Sequence, residues 1–219
     1  MPDLSTWMPL YQSAVLRLFG NRVRFIGLQG SYARGEAREH SDIDTVLITD
    51  ILSPDDLVRY RDALDTLPHR ELICGFVSDR RTLAGWSKAE LFQFYHDTVP
   101  ILGRLEDIIP VPNADDARLA VQNGACAIYH ACCHNLLHAH SSDVLQELYK
   151  SAAFTLQALH FCRTGHYLRT RAELQKVLSG DDARVLAAAN DLRRDVSADR
   201  LEPCSSLLLN WAAGLLADF

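Results

Sequence analysis

The sequence predicts an α+β protein in which a small mixed sheet flanked by helices precedes an antiparallel helical bundle. Three observations support this fold class. Up to about residue 109, short hydrophobic runs typical of strands alternate with helical patterns. The segment 109–113 contains two prolines and has the composition of a linker. Beyond it, apolar residues recur at helical spacing and strand patterns are almost absent. We therefore predict one domain at 1–109 and a helical domain at 114–219.

The predicted sheet has four strands, and clear start and stop signals bound the helices around it. Helical periodicity in the first residues stops at Gly20, and Ser53-Pro54-Asp55-Asp56 is a strong helix start. Pro100 disfavours a central place for the last strand because proline cannot donate to a strand ladder. The predicted strands are 23–28, 42–49, 71–77 and 99–105, and the predicted helices are 3–19, 31–37, 54–67 and 87–96.

The C-terminal half is predicted to contain five helices. Gly165, Gly180 and Pro203 interrupt the helical pattern and separate neighbouring helices. The predicted helices cover 115–140, 143–164, 170–178, 182–195 and 204–217.

Composition limits the classes of function. A chain of 219 residues with 48% hydrophobic and 23% charged residues is typical of a globular protein. A net charge of −6 argues against nonspecific nucleic-acid binding, which needs a basic face. No apolar run reaches the roughly 20 residues that a membrane span requires, and the first residues do not resemble a signal peptide. We therefore expect a cytoplasmic protein without a membrane partner.

The cysteines form no Cys-x-x-Cys pair, and several lie in apolar helical patterns. Free thiols that are buried in a reducing compartment are the expected interpretation. The cysteines are Cys74, Cys126, Cys132, Cys133, Cys162 and Cys204.

The segment from Gly30 to Asp44 carries the chemistry. A Gly30-Ser31 turn follows the first predicted strand, and Asp42 and Asp44 begin the second. Residues i and i+2 of a strand point to the same face, about 6.6 Å apart, so both carboxylates project together. Such carboxylates repel each other unless a cation lies between them, and Mg²⁺ takes carboxylates together with substrate phosphates. The turn offers backbone N–H groups and a hydroxyl to a triphosphate.

Gly30-Ser31, Gly35-Glu36 and Ser41-Asp42-Ile43-Asp44 resemble the signature of the polymerase-β-like nucleotidyltransferases, in particular the small bacterial branch with the minimal and aminoglycoside nucleotidyltransferases. The resemblance implies a nucleotidyltransferase fold for the first domain and a HEPN-like or substrate-binding bundle after it. It also implies two Mg²⁺ ions and a nucleoside triphosphate, with ATP expected. The implied reaction moves a nucleoside monophosphate to an acceptor hydroxyl and releases pyrophosphate.

Site residues follow from the motif and from the resemblance. Asp42 and Asp44 would hold the metal ions, and a third carboxylate is expected from a neighbouring strand. Glu71 is our candidate for this third catalytic acid because it begins the third predicted strand, and Glu36 and Asp97 are the substitutes. The residues expected to bind the nucleotide are Gly30, Ser31, Arg34 and Lys150, the last because related enzymes use a lysine of the helical domain.

A row of histidines in the bundle has a second interpretation. His130, His134 and His138 recur at intervals of four residues, and imidazoles at this spacing can share a zinc ion. No acid follows in the pattern of zinc proteases. We favour histidines that pack inside the bundle, with a metal site as the alternative.

The acceptor is left open by the sequence. The net negative charge weakly favours a polycationic small molecule such as an aminoglycoside. A protein side chain, as in the antitoxin-type minimal nucleotidyltransferases, is the alternative. A third hypothesis is a non-catalytic nucleotide-binding or assembly module, against which the intact Asp42 and Asp44 argue. A homodimer is one oligomeric state that the sequence allows.

Overall fold

The computed structural model describes residues 2–192 and 200–218, which divide into two compact units. One unit is Met1–Ser87 with Asp97–Val111, and the other is Lys88–His96 with Pro112–Phe219. Residues 88–96 therefore group with the helical unit, although the sequence analysis includes them in the domain 1–109. The α+β fold class is confirmed, whereas the domain boundaries themselves stay a prediction.

A four-stranded mixed sheet is the centre of the first unit. Its strands are β1 (Val23–Leu28), β2 (Ile43–Thr49), β3 (Ile73–Asp79) and β4 (Val99–Leu102). They lie in the order β3-β2-β1-β4, so Pro100 is on an edge strand, as predicted. β1 is antiparallel to β2 and β4, and β2 is parallel to β3. Consequently β1 ends at the same end of the sheet where the other three strands begin.

The helices of the first unit are α1 (Leu4–Phe19), α2 (Gly30–Ala33), α3 (Pro54–Leu64) and α4 (Arg80–Ala84). α3 begins at the predicted helix start, where the Ser53 hydroxyl accepts the Asp56 N–H and the Asp56 carboxylate accepts the Ser53 N–H. α2 is a single turn, shorter than the predicted helix 31–37. α4 is a further helix that the sequence analysis does not predict. Asp79 starts it by accepting the Thr82 N–H at 2.8 Å.

α1 supplies much of the core of the first unit. Trp7, Tyr11 and Phe19 are buried against one face of β1 and β2. Tyr11 also shares a 2.7 Å hydrogen bond with the hydroxyl of Tyr60 on α3. Ile43 and Leu47 point into this core, so Asp44, which alternates with them along β2, projects from the opposite face of the sheet. Because side chains alternate along β2, Ile43 and Leu47 face this core and Asp44 faces the other side of the sheet.

Asp56 gives this unit a specific dependence of stability on pH. Arg22 donates two hydrogen bonds of 3.0 and 2.8 Å to its carboxylate, and these bonds, with those from Ser53, hold the pKa of Asp56 well below its usual value. A carboxylate with a lowered folded pKa stabilises the fold above its unfolded pKa of about 3.9, and the contribution disappears as the pH falls through the folded pKa.

We expect Asp56→Asn to lower the free energy of unfolding by about 1–3 kcal/mol at pH 7. The difference from the unsubstituted protein should shrink as the pH falls below about 4. Urea unfolding of both proteins at pH 7 and pH 3 measures this. Asp62→Asn is the control, because the exposed Asp62 pairs with its neighbour Arg61 on the surface and surface pairs contribute little. A difference that is the same at both pH values contradicts the assignment.

The second unit consists of helices. They are α5 (Lys88–Asp97), α6 (Ala114–His134), α7 (Ser142–Thr164), α8 (Arg171–Gln175), α9 (Gly180–Leu192) and α10 (Leu201–Asp218). The last residue of α5, Asp97, belongs to the first unit. A five-residue π-helical turn, Asn135–Ala139, extends α6 within the predicted span 115–140. Residues 193–195 of the predicted helix 182–195 lie outside the described residues.

A polar and aromatic cluster fixes α5 to the other helices of this unit. Phe92 is fully buried, with its ring 5.1 Å from that of Phe161, and the His96 ring stacks on Tyr167 at 4.4 Å. Burial, together with the charge of Arg169, lowers the pKa of His96 to about 4, so the imidazole is neutral at physiological pH. α5 is therefore part of the hydrophobic core of the helical unit.

Two predictions about side-chain burial are wrong. Cys132 and Cys204 are buried free thiols, but Cys74 and Cys126 are exposed. His130, His134 and His138 are all exposed, so the row does not pack inside the bundle. The His134 and His138 rings lie 5.0 Å apart, yet no group of three or more metal-binding side chains is found within 2–192 and 200–218. Within those ranges, no helix has both the length and the apolar character needed to cross a membrane.

Candidate functional site

The residues of the Gly30–Asp44 motif gather at one end of the sheet. Gly30 lies just beyond the end of β1, Asp42 directly precedes β2, and Asp44 is the second residue of β2. Asp97 lies two residues before β4, which pairs with β1 through Leu28 and Val99. Because β1 ends where β2 and β4 begin, residues that are far apart in the sequence become neighbours here. Asp42 is exposed, Asp44 is half-buried and Asp97 is buried.

Gly30 lies directly against the carboxylate of Asp44. Its φ of +69° is in the left-handed region, and a Cβ built at this position would lie 1.8 Å from Oδ2 of Asp44. A side chain at this position would force the carboxylate of Asp44 to move. The Gln29 N–H also donates to the carbonyl oxygen of Asp44 at 2.8 Å. The turn after β1 and the start of β2 are therefore packed together through Gly30.

We expect Gly30→Ala to lower turnover by about 100-fold, because even a displacement of about 1 Å at a reacting centre can cost that much. Gly35→Ala is a matched control, since Gly35 has a φ of +70° but a Cβ added there would meet no atom within 4 Å. Both variants carry the same backbone strain at a positive φ, and thermal unfolding measures the further loss that Gly30→Ala should show from its collision with Asp44. Equal turnover for the two variants would contradict the close approach of Gly30 to Asp44.

Arg34 links two acidic residues beside the turn. Its Nη1 donates to both carboxylate oxygens of Asp97, at 2.7 and 3.0 Å, and its Nε donates to Glu36 at 3.4 Å. Burial lowers the pKa of the Arg34 guanidinium, but the charges of Asp97 and Glu36 and their hydrogen bonds outweigh it, so the pKa lies above its usual value. Arg34 therefore stays charged and binds carboxylates in this structure, whereas the sequence analysis assigns it to the nucleotide.

Asp97 also contacts the motif itself. The Gly30 N–H donates a long hydrogen bond of 3.4 Å to Oδ2 of Asp97. On the same side, Nε2 of Gln29 donates to the hydroxyl of Thr98 at 2.7 Å. Asp44 and Asp97 thus both meet Gly30, one against its α-carbon and the other at its amide. Sequence reasoning missed Gln29 and Thr98 and named Asp97 only as a substitute.

The structure places Glu71 differently from the prediction. Glu71 lies in a 3₁₀ turn, Arg70–Leu72, and β3 begins two residues later than predicted. Its side chain is 72% exposed, and the partner described for it is His69 at 3.9 Å. The residue of β3 in register with Asp44 is Cys74, which is exposed. The position beside Asp44 on the neighbouring strand therefore carries a thiol and not a carboxylate.

The other predicted nucleotide-binding residues occupy two units. Ser31 follows Gly30 in the turn, where its carbonyl oxygen accepts the Glu36 N–H at 2.8 Å. Lys150 is on α7 in the second unit, with a side chain that is 60% exposed and paired with Glu147 at 3.4 Å. A role for Lys150 toward a triphosphate stays a prediction.

The donor set at this end of the sheet fits a hard divalent cation. The metal-binding atoms of Asp42, Asp44 and Asp97 are all carboxylate oxygens, which Mg²⁺ prefers over nitrogen or sulfur. Mg²⁺ usually takes one or two protein carboxylates and completes its coordination with water and substrate phosphates. Within residues 2–192 and 200–218, Asp42, Asp44 and Asp97 do not form a group of three side chains that could hold a metal ion by themselves.

Comparisons with known proteins identify the family and the fold of the chain. The family model of the nucleotidyltransferase domain matches residues 11–122, just over half of the chain. No curated protein matches the sequence significantly. The structure of spectinomycin adenyltransferase AAD(9) from Enterococcus faecialis, solved with ATP and spectinomycin, has a similar fold, with a TM-score of 0.63 and 11% identity over 98% of this chain and 100% of that one.

A toxin–antitoxin structure with AMP-PNP aligns at a TM-score of 0.32 and 20% identity, over 44% of this chain and 76% of the other, which is too weak a likeness to carry an argument. The family match runs from the middle of α1 to the first part of α6 and includes Gly30, Asp42, Asp44 and Asp97. The chain belongs to the nucleotidyltransferase domain family and is a nucleotidyltransferase.

Proposed function

We propose that this chain transfers AMP from ATP, in the presence of Mg²⁺, to a hydroxyl group of a small molecule such as an aminoglycoside, and releases pyrophosphate. The observation that carries the proposal is the meeting of Asp44 and Asp97 at Gly30, in the turn that precedes Ser31. The carboxylate oxygens of this site suit a divalent cation. The adjoining turn, in which a glycine leaves the backbone N–H groups accessible, suits phosphate groups.

The proposed reaction conserves atoms and charge. The acceptor hydroxyl oxygen forms a bond to the α-phosphorus while the bond from that phosphorus to the oxygen bridging to the β-phosphate breaks. Pyrophosphate leaves with that oxygen, and the hydroxyl proton passes to a carboxylate or to water. Mg²⁺, when bound, neutralises charge on the phosphate oxygens.

Each residue of the motif has a place in this scheme. Asp42 and Asp44 would hold the cations, since Asp42 directly precedes β2 and Asp44 follows Asp42 by two residues, the spacing at which side chains share a face. Gly30 and Ser31 bind phosphate oxygens through a backbone N–H and a hydroxyl. Because α2 is only one turn long, we assign phosphate binding to these groups and not to a helix dipole.

We assign the third carboxylate to Asp97 and no longer to Glu71. Asp97 is buried beside Gly30, where a cation and its phosphates would lie. Glu71 is largely exposed and lies in a turn before β3. Lys150 remains the proposed lysine for the triphosphate, supported by the family resemblance alone.

Two observations favour a cationic small molecule as the acceptor. The similar fold in the adenyltransferase was solved with ATP and spectinomycin, and a net charge of −6 favours a cationic ligand over a nucleic acid. A cationic aminoglycoside or aminocyclitol is therefore the first acceptor to test.

Pyrophosphate release tests the proposal. Each of the four nucleoside triphosphates is mixed with Mg²⁺, the full chain and a panel of aminoglycosides and aminocyclitols, or with a protein extract. We expect release with ATP that depends on a cationic small molecule. Labelling of a protein in the extract, without any small-molecule acceptor, would overturn the acceptor class. Nucleotide binding without release under any condition would favour the non-catalytic module.

A further inference from the structure

We infer that Arg34 couples cation binding to nucleotide binding at this site, because it exchanges its bonds to Asp97 for bonds to the triphosphate when the nucleotide binds. The inference rests on the proposed function, which supplies the triphosphate. It rests equally on the ion-pair cluster of Arg34, Asp97 and Glu36.

The cluster is tight and shielded from solvent. A single nitrogen of Arg34 lies 2.7 and 3.0 Å from the two carboxylate oxygens of Asp97, so both oxygens are engaged. The side chains of Arg34, Asp97 and Glu36 are only 16%, 11% and 21% exposed. Charge-assisted bonds in such surroundings are stronger than those at an open surface. A cation that binds Asp97 must therefore compete with a guanidinium already bound there.

The position of the cluster makes the competition relevant to the site. The carboxylate that Arg34 holds also accepts the Gly30 N–H, and the same glycine touches Oδ2 of Asp44. Arg34 is four residues after Gly30 in the same segment, and its N–H donates to the Gly30 carbonyl oxygen at 3.2 Å. The guanidinium of Arg34 thus lies next to the Gly30-Ser31 turn, which we propose binds the phosphates.

A triphosphate is a better partner for Arg34 than one carboxylate. Arginine binds phosphate oxygens with two parallel hydrogen bonds, and a triphosphate carries several negative charges. When Arg34 moves to the phosphates, Asp97 loses its counter-ion beside Asp44, and a pair of close carboxylates attracts a cation. Because linkage is reciprocal, the nucleotide should raise the affinity for the cation, and the cation should raise the affinity for the nucleotide, by the same factor.

Binding of Mn²⁺ to the full chain, followed by electron paramagnetic resonance, tests the coupling without any turnover. Mn²⁺ has the oxygen preference and octahedral geometry of Mg²⁺. We expect weak binding of Mn²⁺ alone to the unsubstituted protein and tighter binding with a non-hydrolysable ATP analogue. In Arg34→Gln, Mn²⁺ alone should bind about tenfold tighter, a typical size for coupled sites, and the analogue should add less.

Arg38→Gln is the matched control, because it removes the same charge from the same segment while Arg38 is exposed. It should bind Mn²⁺ like the unsubstituted protein. Equal affinities for Mn²⁺ alone in folded Arg34→Gln and Arg38→Gln would overturn the inference and leave Arg34 as a structural ion pair. Thermal unfolding shows whether each variant folds. If Arg34→Gln does not fold, Arg34→Met, which also removes the charge and keeps a long side chain, replaces it, and an unchanged affinity for Mn²⁺ in that variant would equally overturn the coupling.

The outcomes separate the coupling from the proposed function. Coupled binding without pyrophosphate release from any acceptor would reject the proposed reaction and retain the role of Arg34. Pyrophosphate release together with uncoupled Mn²⁺ binding would retain the proposed reaction and reject the role of Arg34.

Discussion

Asp44→Asn should abolish nucleotidyl transfer while the protein folds normally. Asparagine keeps the shape of the side chain but removes the charge that would hold a cation against the phosphates. We expect turnover to fall by about 1,000-fold or more, which corresponds to about 4 kcal/mol of transition-state stabilisation. Pyrophosphate release with the acceptor identified for the unsubstituted protein measures the loss.

Two controls make this result specific. Thermal unfolding of Asp44→Asn should match the unsubstituted protein or show a higher midpoint, because the variant relieves repulsion among the carboxylates near Gly30. Asp79→Asn removes an acid at the opposite end of the sheet, since Asp79 is the last residue of β3, and should retain turnover. Full activity of Asp44→Asn would contradict the assignment of the cation to this strand.

The second large effect is expected at Asp97. Asp97→Asn should lower turnover by about 100-fold and raise the Mg²⁺ concentration needed for half-maximal activity, because a buried carboxylate of the cation site is lost. Glu71→Gln should remain within about twofold of the unsubstituted protein, as expected for a change at a solvent-exposed side chain. Titration of activity with Mg²⁺ in the three proteins separates the two candidates for the third acid.

A purely structural role of Asp97 predicts a different pattern. Removing one partner of a shielded ion pair destabilises a protein, so Asp97→Asn would then unfold more easily but keep its Mg²⁺ requirement. The reverse ranking, with Glu71→Gln inactive and Asp97→Asn active, would restore Glu71 as the third acid.

The local part of the site can be predicted from the sequence because neighbouring residues determine it. The observed limits of β1 are those predicted, and β2 begins at Ile43, one residue later than predicted, so that Asp42 precedes the strand and Asp44 is its second residue. The Ser53 cap and the edge position of Pro100 also follow from single residues whose chemistry restricts the backbone.

The rest depends on contacts between distant residues. Asp97 reaches Gly30 only because β4 pairs with β1, which brings together residues 67 positions apart. The prediction of Glu71 requires β3 to start at that residue. His69 instead adopts a φ of 61°, and a 3₁₀ turn delays the strand. Composition likewise does not show which face of a helix a residue occupies, which is why the sequence analysis expects the exposed His134 and Cys126 inside.

The central claim is that the α-phosphorus of the nucleotide, and not the γ-phosphorus, is transferred. Parallel reactions with ATP labelled at the α- or the γ-phosphate, the full chain, Mg²⁺ and the acceptor panel test this directly. We expect the label from the α-position to appear in the acceptor and the label from the γ-position to appear in pyrophosphate, with both reactions lost in Asp44→Asn. Label from the γ-position in the acceptor, or release of inorganic phosphate alone, would contradict nucleotidyl transfer at this site.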